Sequence, residues 1–574
     1  MIDDLARGVM AEWDRLNGER GTWLQHWQDV ANYVCPDRAD YTVLRSPGQK
    51  RMQYIYDSTA IQAHEQLTSG LHSLLTSPTL QWFGLRAEDE TINADTNARI
   101  WLDDAAKRMY VLFNGSKHNF ASQSSELYAD CSSIGTACMA VLESDANDVL
   151  FSTRHMRECV IAENDEDRVD TLIRKWKWTA KQAFQAWGAD CGEKVAKAAM
   201  DPATDKEKFE FLHAVRPRLQ RDVTRAESKH KAFESVYVSC TDGMVIKEGG
   251  FDEFPFVVPR FSKSTGETYG RSPAMKVLPD IKSLNVVMKT LMMAQQKNMD
   301  PPLNVPEDSY LQPIDTTPGA RNYHRNNSRN LAQPMEQGGD MHIGVEFVNG
   351  LRTQIRSGFY ADWMAMPSDP TDPAAAGKGV TATYTLQQRD EKMRLLSPLL
   401  ARLQAEFLGP LIERVFAIMM RRSMAVRFGP GSMLAPLPHI LVGAKLRVEY
   451  VSPIAVAQKA SQLDGVQRVV QTALTLGQID PTAPRILDVE AILRLTAEDL
   501  NTPAVVLKSP QRVQEEAQAA AQQQSAAQNA QSLESVAGAA KNGTQALQNI
   551  NNVVTANQQG SAALAAPPTQ QAAA

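Results

Sequence analysis

Between Ser272 and Met364 the chain reads as two amphipathic helices flanking a Pro- and Asn-rich excursion, and no other stretch constrains the fold as much. Ser272 stands where an N-cap belongs, and Pro273 occupies the first helical position, where its missing N–H costs nothing. Val277, Ile281, Leu284, Met288 and Leu291 follow at three- and four-residue spacing and share one face. Asp300-Pro301-Pro302 ends the run. Leu351, Ile355, Phe359 and Trp363, each four apart, mark a return helix. A Gly/Pro/Ala loop over 366–382 comes next, and from Thr383 a helix of about forty residues, roughly 60 Å long. Leu396, Leu399, Leu403, Phe407, Leu411, Val415 and Ile418 mark its apolar face, and Pro398 and Pro410 predict kinks. A helical hairpin with a projecting tip, then a loop at the head of a helical spine, suits a part repeated around a ring better than an enzyme pocket.

The 574 residues are 43% hydrophobic and 22% charged, an ordinary globular balance with core for several domains. The formal net charge is −6, whereas a dedicated nucleic-acid binder carries a basic excess to neutralise phosphates. If such a chain meets DNA, it is expected to do so without gripping it. The six cysteines include no CxxC pair, and the acidic start Met1-Ile2-Asp3-Asp4 lacks the basic and apolar regions of a signal peptide. Free thiols in a reducing cytoplasm follow as the expectation. No stretch approaches the ~18 apolar residues of a membrane span, so no membrane partner is expected.

Leu5, Val9, Trp13 and Leu16 form one helical stripe, and Trp23, Trp27, Val30 and Val34 a second. Further helices are predicted over 57–78, 95–114, 119–135 and 179–188, with a short strand at Gln81 to Leu85. Short β-type runs at 139–142, 149–151, 160–162 and 171–173 are split by Asp, Asn and Glu turns. Phe233 to Val238 and Met244 to Lys247, joined by Thr241-Asp242-Gly243, read as a hairpin. Residues 1–270 thus form a mixed α+β lobe in a predominantly helical chain. Pro306, Pro313, Pro318 and Pro334 keep regular structure brief over 303–347, where Met341 to Val348 is predicted as a strand. Past 425 come a strand at Lys445 to Val451 and helices at 454–476 and 488–495. The Gln/Ala-rich tail over 511–574 is helical to about 530 and loose afterwards.

No catalytic or metal signature is intact. His64-Glu65 opens like HExxH, but residue 68 is Thr. Gly377-Lys378-Gly379 lacks the first glycine of a phosphate loop, since residue 372 is Asp, and lacks the Ser or Thr after its Lys. Asp165-Glu166-Asp167 reads as a solvated turn, and the Trp residues near the N-terminus as core. Arg321, Arg325 and Arg329 recur every four residues around Tyr323 and His324, either as a solvated face or as a contact for a polyanion or acidic partner. Lys378 is the one cation of its acidic and apolar loop, a placement that suits a transient phosphate contact.

Several local patterns together resemble one family. Leu67-Thr68-Ser69-Gly70-Leu71, then Leu75-Thr76-Ser77-Pro78 and Trp82-Phe83, are similar to the N-terminal signature of portal proteins, the head-to-tail connectors, of short-tailed bacteriophages. Tyr269 to Ala274 leading into Leu278 to Asn285 resembles that family's stem-helix entry. Thr381-Ala382-Thr383 with Arg389 and Glu391, then Leu399 to Arg402 and Leu411 to Arg414, resembles the long helix after its tunnel loop. Val451 to Ala455 with Ala457-Gln458 matches a downstream pattern. The likeness covers about residues 1–500, in order.

The resemblance implies a dodecameric ring at one capsid vertex of the virion, made in the host bacterial cytoplasm. Double-stranded DNA is packaged through it by a separate terminase and later leaves through the tail. The implied parts are a wing (1–270), stem helices (271–299 and 349–365), a clip (300–348), a tunnel loop (366–382), a kinked spine helix (383–424), a crown region (425–510) and a tail (511–574). Expected channel residues are Pro373, Gly377, Lys378 and Gly379. Arg321, Tyr323, Arg325 and Arg329 are expected to dock terminase and tail adaptor or nozzle proteins. Ile281, Leu284, Met288, Leu291, Leu351, Ile355, Phe359 and Trp363 are expected at the ring interface. Major capsid and scaffold proteins complete the partners; no enzyme activity, cofactor or metal is implied. The alternative is another virion structural protein, an internal core or scaffold component without a channel.

Overall fold

The computed structural model describes residues 3–364 and 396–450, apart from short gaps at 47, 145–147, 223, 226, 308–309, 318–319, 325–331, 336–340 and 430, with scattered positions beyond 467. Two compact units divide the chain, Met1–Leu487 and Asp488–Ala574. The described positions of the second unit, among them Ile492, Leu493, Glu516 and Gln518 to Ala520, are helical.

The first unit opens with α1 (Asp4–Glu19) and α2 (Gly21–Val34), where the Trp and Val stripes place them. Asp3 caps α1 by accepting the Leu5 N–H at 3.1 Å. Then come α3 (Thr59–Leu75), β1 (Phe83–Ala87), α4 (Glu90–Ala94), α5 (Thr96–Asn114) and α6 (Phe120–Ile134), followed by the hairpin β2 (Cys138–Ser144) and β3 (Asp148–Arg154). A five-stranded antiparallel sheet follows: β4 (Cys159–Glu163), β5 (Val169–Thr179), β6 (Lys208–Pro217), β7 (Phe233–Ser239) and β8 (Met244–Phe251), paired in that order. Val9, Trp13 and Leu16 of α1 bury one face of it, against Val160, Ile173, Leu212, Val236 and Val238. On the other face α7 (Ala180–Trp187) and α8 (Glu193–Met200) cover Trp176 and Phe211. Thr179 and Gln182 cap α7 reciprocally, as a capping box does. The turn after β7 holds Gly243 at φ +62°, the conformation Asp-Gly supports. All six cysteines are free.

The short strand β9 (Phe256–Val257) pairs with β2, and α9 (Pro273–Met299) then leaves the lobe. The short strands β10 (Leu303–Asn304) and β11 (Gln333–Pro334) pair across the excursion. After it come α10 (Met341–Gly358), α11 (Ala361–Met364), the helix containing Leu396 to Leu403, α12 (Gly409–Ala425) and β12 (Leu446–Tyr450), which pairs antiparallel with β1. Most of the loop-to-tail expectations, over 366–395, 451–467 and the bulk of 476–574, lie outside the described residues. Among the described residues no helix is long and apolar enough to cross a membrane.

Two expectations are corrected. Met341 to Val348 is not a strand but the start of α10, eight residues before the expected 349 boundary. Its alternation of Ile343, Val345 and Phe347 imitates a strand, but Val348, Leu351 and Ile355 are the residues that become buried, and their helical spacing decides the outcome. The return helix also does not run unbroken to 365. Tyr360 adopts φ +55°, which ends α10 before α11 begins.

Where α9 leaves the lobe, two backbones touch. Gly135, at φ +84°, would place a Cβ 2.3 Å from the Gly270 carbonyl oxygen, and Gly270 one 2.3 Å from that of Gly135. The Gly135 carbonyl meanwhile accepts the Phe261 N–H at 2.9 Å. No flexible side chain can yield there, so Gly270→Ala is expected to cost about 2–4 kcal/mol. Urea denaturation should show a lowered midpoint with an unchanged slope.

Candidate functional site

One buried hydroxyl roots the hairpin. Ser272 Oγ accepts the Met275 N–H at 3.1 Å, capping α9, and donates to the Ser133 carbonyl at 2.6 Å, tying the helix to the end of α6. At the far end the Asp300 N–H donates to Gln296 at 2.9 Å, and the chain turns away. The helix α10 returns antiparallel, with Gly344 against Leu291 and Gly358 against Val277. Both contacts are equally far apart on each helix, so the pair stays in register for roughly 20 Å. Arg352 on α10 meets Asp57, just before α3, through Nε at 3.0 Å and Nη2 at 2.8 Å. Burial alone would raise the Asp57 carboxyl, but hydrogen bonds from Thr59 and Arg352 outweigh it and hold it below its ordinary value.

The predicted stripe exists and faces inward. Ile281, Leu284, Leu351, Ile355 and Phe359 are buried within the chain, Phe359 beside His64 of α3. Met288 and Leu291 are half-buried, and Trp363 falls in α11. The expectation that this stripe needs a neighbouring copy to cover it therefore fails for the five buried residues, because α3 and the rest of the main core already do so. Among the described residues, the exposed apolar side chains of the pair include Val286 (66% exposed), Met292, Met293, Met299, Val345 and Phe347 (55%). Val286, Met293 and Val345 fall outside each helix's main period, whereas Phe347 continues the four-residue series back from Leu351 and yet stays exposed.

At the tip, Tyr310 bridges His324 and Asp315 accepts from Thr317, while Asn322 binds the Asp315 backbone at both its N–H and its carbonyl. Leu303, Val305, Leu311, Tyr323 and Met335 stay exposed there, and Arg321 is exposed beside Tyr323. Arg325 and Arg329 lie outside the described residues, as do Pro373, Gly377, Lys378 and Gly379 of the expected loop.

On the spine the expected kinks take another form. Gln404–Leu408 is a turn of π-helix, closed by the Gly409 N–H donating to the Gln404 carbonyl five residues back. Tyr450 Oη donates to the same carbonyl at 3.1 Å. Pro410 lies just after it and has no N–H to offer residue 406, so the wider turn forms where an α-helical bond was already missing. This turn presents Glu406 to Arg260, a buried guanidinium absent from the sequence-level site. Arg260 donates to Glu406 from Nε at 3.1 Å and Nη2 at 2.9 Å, to the Asp167 carbonyl at 2.9 Å, and also to Glu163. Its partners stand far away in sequence, and no local spacing announces them. Farther along, Arg414 and Arg421 pair with Glu253, and Arg422 with Asp148, fixing α12 to the β2–β3 hairpin and its neighbours.

A family model for the bacteriophage head to tail connecting protein matches residues 6–507. The chain belongs to that family. Among its relatives, a probable portal protein of Bordetella phage BPP-1 is 29% identical over 486 residues, 84% of either chain. The portal protein of Salmonella phage epsilon15 is 28% identical over 538 residues, covering 90% of this chain and 93% of its own. A solved chain from the neck of an empty GTA particle overlays with a TM-score of 0.33 at 10% identity, covering 75% of this chain and 94% of its own; that likeness is too loose to carry an argument.

For this connector-family chain the closest helix contact is testable. A Cβ on Gly358 would stand 2.2 Å from Val277 Cγ1, on a stiff β-branched side chain. Gly358→Ala should lower the melting temperature by several degrees, for a cost of about 1–3 kcal/mol. Adding Val277→Ala should recover part of that loss, which a double-mutant cycle in thermal denaturation would read.

Proposed function

We infer that this chain is the portal subunit of a phage particle: copies close into a ring at one capsid vertex, and double-stranded DNA enters and leaves through the middle. The observation that carries this reading is the family match over residues 6–507, together with named portal relatives spanned nearly end to end. In this reading 1–270 is the wing, α9 and α10 are the stem, the excursion between them is the clip, and 366–382 is the tunnel loop. The chain's role is structural, without a chemical step of its own, and DNA movement is driven by a separate terminase. The exposed apolar residues at the tip support its use as a docking platform for terminase and, later, tail adaptors.

The ring contact in the stem belongs to the outward face rather than to the inward stripe. Val286, Met293, Val345 and Phe347 supply apolar surface that a neighbouring stem can cover, and a heterologous contact that closes covers it on every copy. Lys378 and its neighbours are the proposed channel lining.

Negative-stain microscopy of the purified protein should show rings with an axial hole; compact particles without one would overturn the reading. Phe347→Asp should leave the subunit folded by circular dichroism yet abolish rings in native mass spectrometry. Deleting residues 368–379 should impair packaging or DNA retention in a virion assay, and unchanged values of both would remove the loop from the channel.

A further inference from the structure

The described residues of 41–56 carry no helix or strand, yet they are firmly held. Gln28 Oε1 accepts the N–H groups of Tyr41 and Thr42, each at 2.9 Å. Arg51 binds the Asp37 carbonyl and the Asp40 carboxylate, the latter at 3.1 Å. The Tyr56 N–H donates to Asn285 Oδ1 at 2.8 Å, which fixes the other end to α9. Between these anchors the apolar side chains point away from the body: Leu44 is 72% exposed and Tyr54 79%, with Val43 and Met52 each about half exposed. The same segment contains Arg45, Lys50 and Arg51 and no acidic residue, in a chain of net charge −6. An irregular segment this long inside a compact lobe, with its ends tied and its greasy side outward, has the makings of a preorganised docking strap.

Elsewhere the chain carries the complementary surface. A recess lined by Glu88, Asp89, Ile92, Ile440 and Val442 lies beside the β1–β12 pair, with Ile440 47% and Val442 66% exposed. Its rim presents three consecutive exposed carboxylates, Glu88, Asp89 and Glu90. Lys445 shares the rim, and Arg447 approaches Glu90 only to 3.9 Å. Among the described residues neither Lys50 nor Glu88 has an ion-pair partner.

We propose that the strap formed by residues 43–55 of one copy seats on the 88–92/440–445 recess of the next copy in the ring. The inference rests on the ring reading and adds to it a wing-to-wing clasp distinct from the stem contact. A heterologous contact needs two different patches on one chain that fit each other, and here a basic apolar strap meets an acidic apolar recess with no residue in common. Phosphate backbones would engage Arg45 and Lys50, Arg51 being already paired with Asp40, but leave four exposed apolar side chains without a function, which favours a protein partner over DNA. In a closed ring every strap is received and every recess is filled.

The test joins the two surfaces covalently. In full-length protein carrying Tyr54→Cys and Val442→Cys, a short bis-maleimide should produce a ladder of covalent multimers on a denaturing gel, and neither single variant should do so. Lys50→Glu or Glu88→Lys alone should raise the subunit concentration needed for half-assembly roughly tenfold by mass photometry, and the pair together should restore it. Melting temperatures of the variants should match the parent, since both side chains are exposed. Rings visible by microscopy without a ladder would overturn the strap and leave the ring reading standing, whereas a parent protein that forms no rings would overturn both. If the strap variants assemble normally but bind a double-stranded DNA fragment more weakly, the strap is a phosphate contact and the proposal fails.

Discussion

Arg260 holds together three pieces of chain that have no other reason to stay in register. Its guanidinium reaches Glu163 and the Asp167 carbonyl at the β4–β5 turn, the Thr268 carbonyl before α9, and Glu406 on the π turn of the spine. A charge this deeply buried is tolerable only because nearly every donor is matched, two of them in fork geometry on one carboxylate. Removing one partner would leave the others desolvated and unpaired, so the cluster behaves as a single joint. It fixes the angle between the sheet lobe, the root of the hairpin and the spine. The Gly135–Gly270 backbone contact beside it gives that joint no slack.

From this joint the hairpin's geometry follows. Ser272 sets where α9 starts, and the Val277–Gly358 and Leu291–Gly344 contacts then set how α10 lies against it. Close approach at the two glycines turns Ile281, Leu284, Leu351 and Ile355 into the shared core. The same rotation carries Val286, Val345 and Phe347 to the outside. An apolar face thus remains even though the obvious stripe is used up internally, and for a subunit that must both fold and assemble this separates the two tasks. In the ring reading, the residues that stabilise the fold are not those proposed to meet a neighbour, so damage to one need not destroy the other.

Much of this was legible in the sequence wherever one side of an element is buried and the other wet. The Trp and Val stripes of α1 and α2, the Ser272-Pro273 start and the Asp-Gly hairpin all carry local signals that tertiary packing respects. The strand β6 did not announce itself, because Phe211 to Val215 is a run buried on both faces of the sheet and shows no alternation. Met341 to Val348 misled for the opposite reason: its alternation is real, but its Val345 and Phe347 face outward on a helix. The run of four-residue spacings from Leu399 to Val415 held more than was read from it. A regular α-helix drifts about 40° for each such step, so the apolar face would wind away unless a turn widens, and the π turn at Gln404–Leu408 supplies that widening. Arg260 could not have been found, since its charged partners Glu163 and Glu406 are both brought from afar.

The distribution of charge fits a passage for DNA better than the net value alone suggests. Sixty lysines and arginines are not few, and a conduit that presented many of them would hold a polyanion in a salt-dependent grip. Among the described residues of the spine, however, the cations are engaged within the subunit. Arg260 and Arg402 face Glu406, Arg414 and Arg421 face Glu253, and Arg422 faces Asp148. The pairs with Arg260, Glu253 and Asp148 fasten the helix to the body, and every pair withdraws a positive charge from anything that slides past. In the portal reading the requirements of a stiff wall and of a surface that does not bind are met by the same ion pairs, which explains how an arginine-rich spine can belong to a chain that is acidic overall.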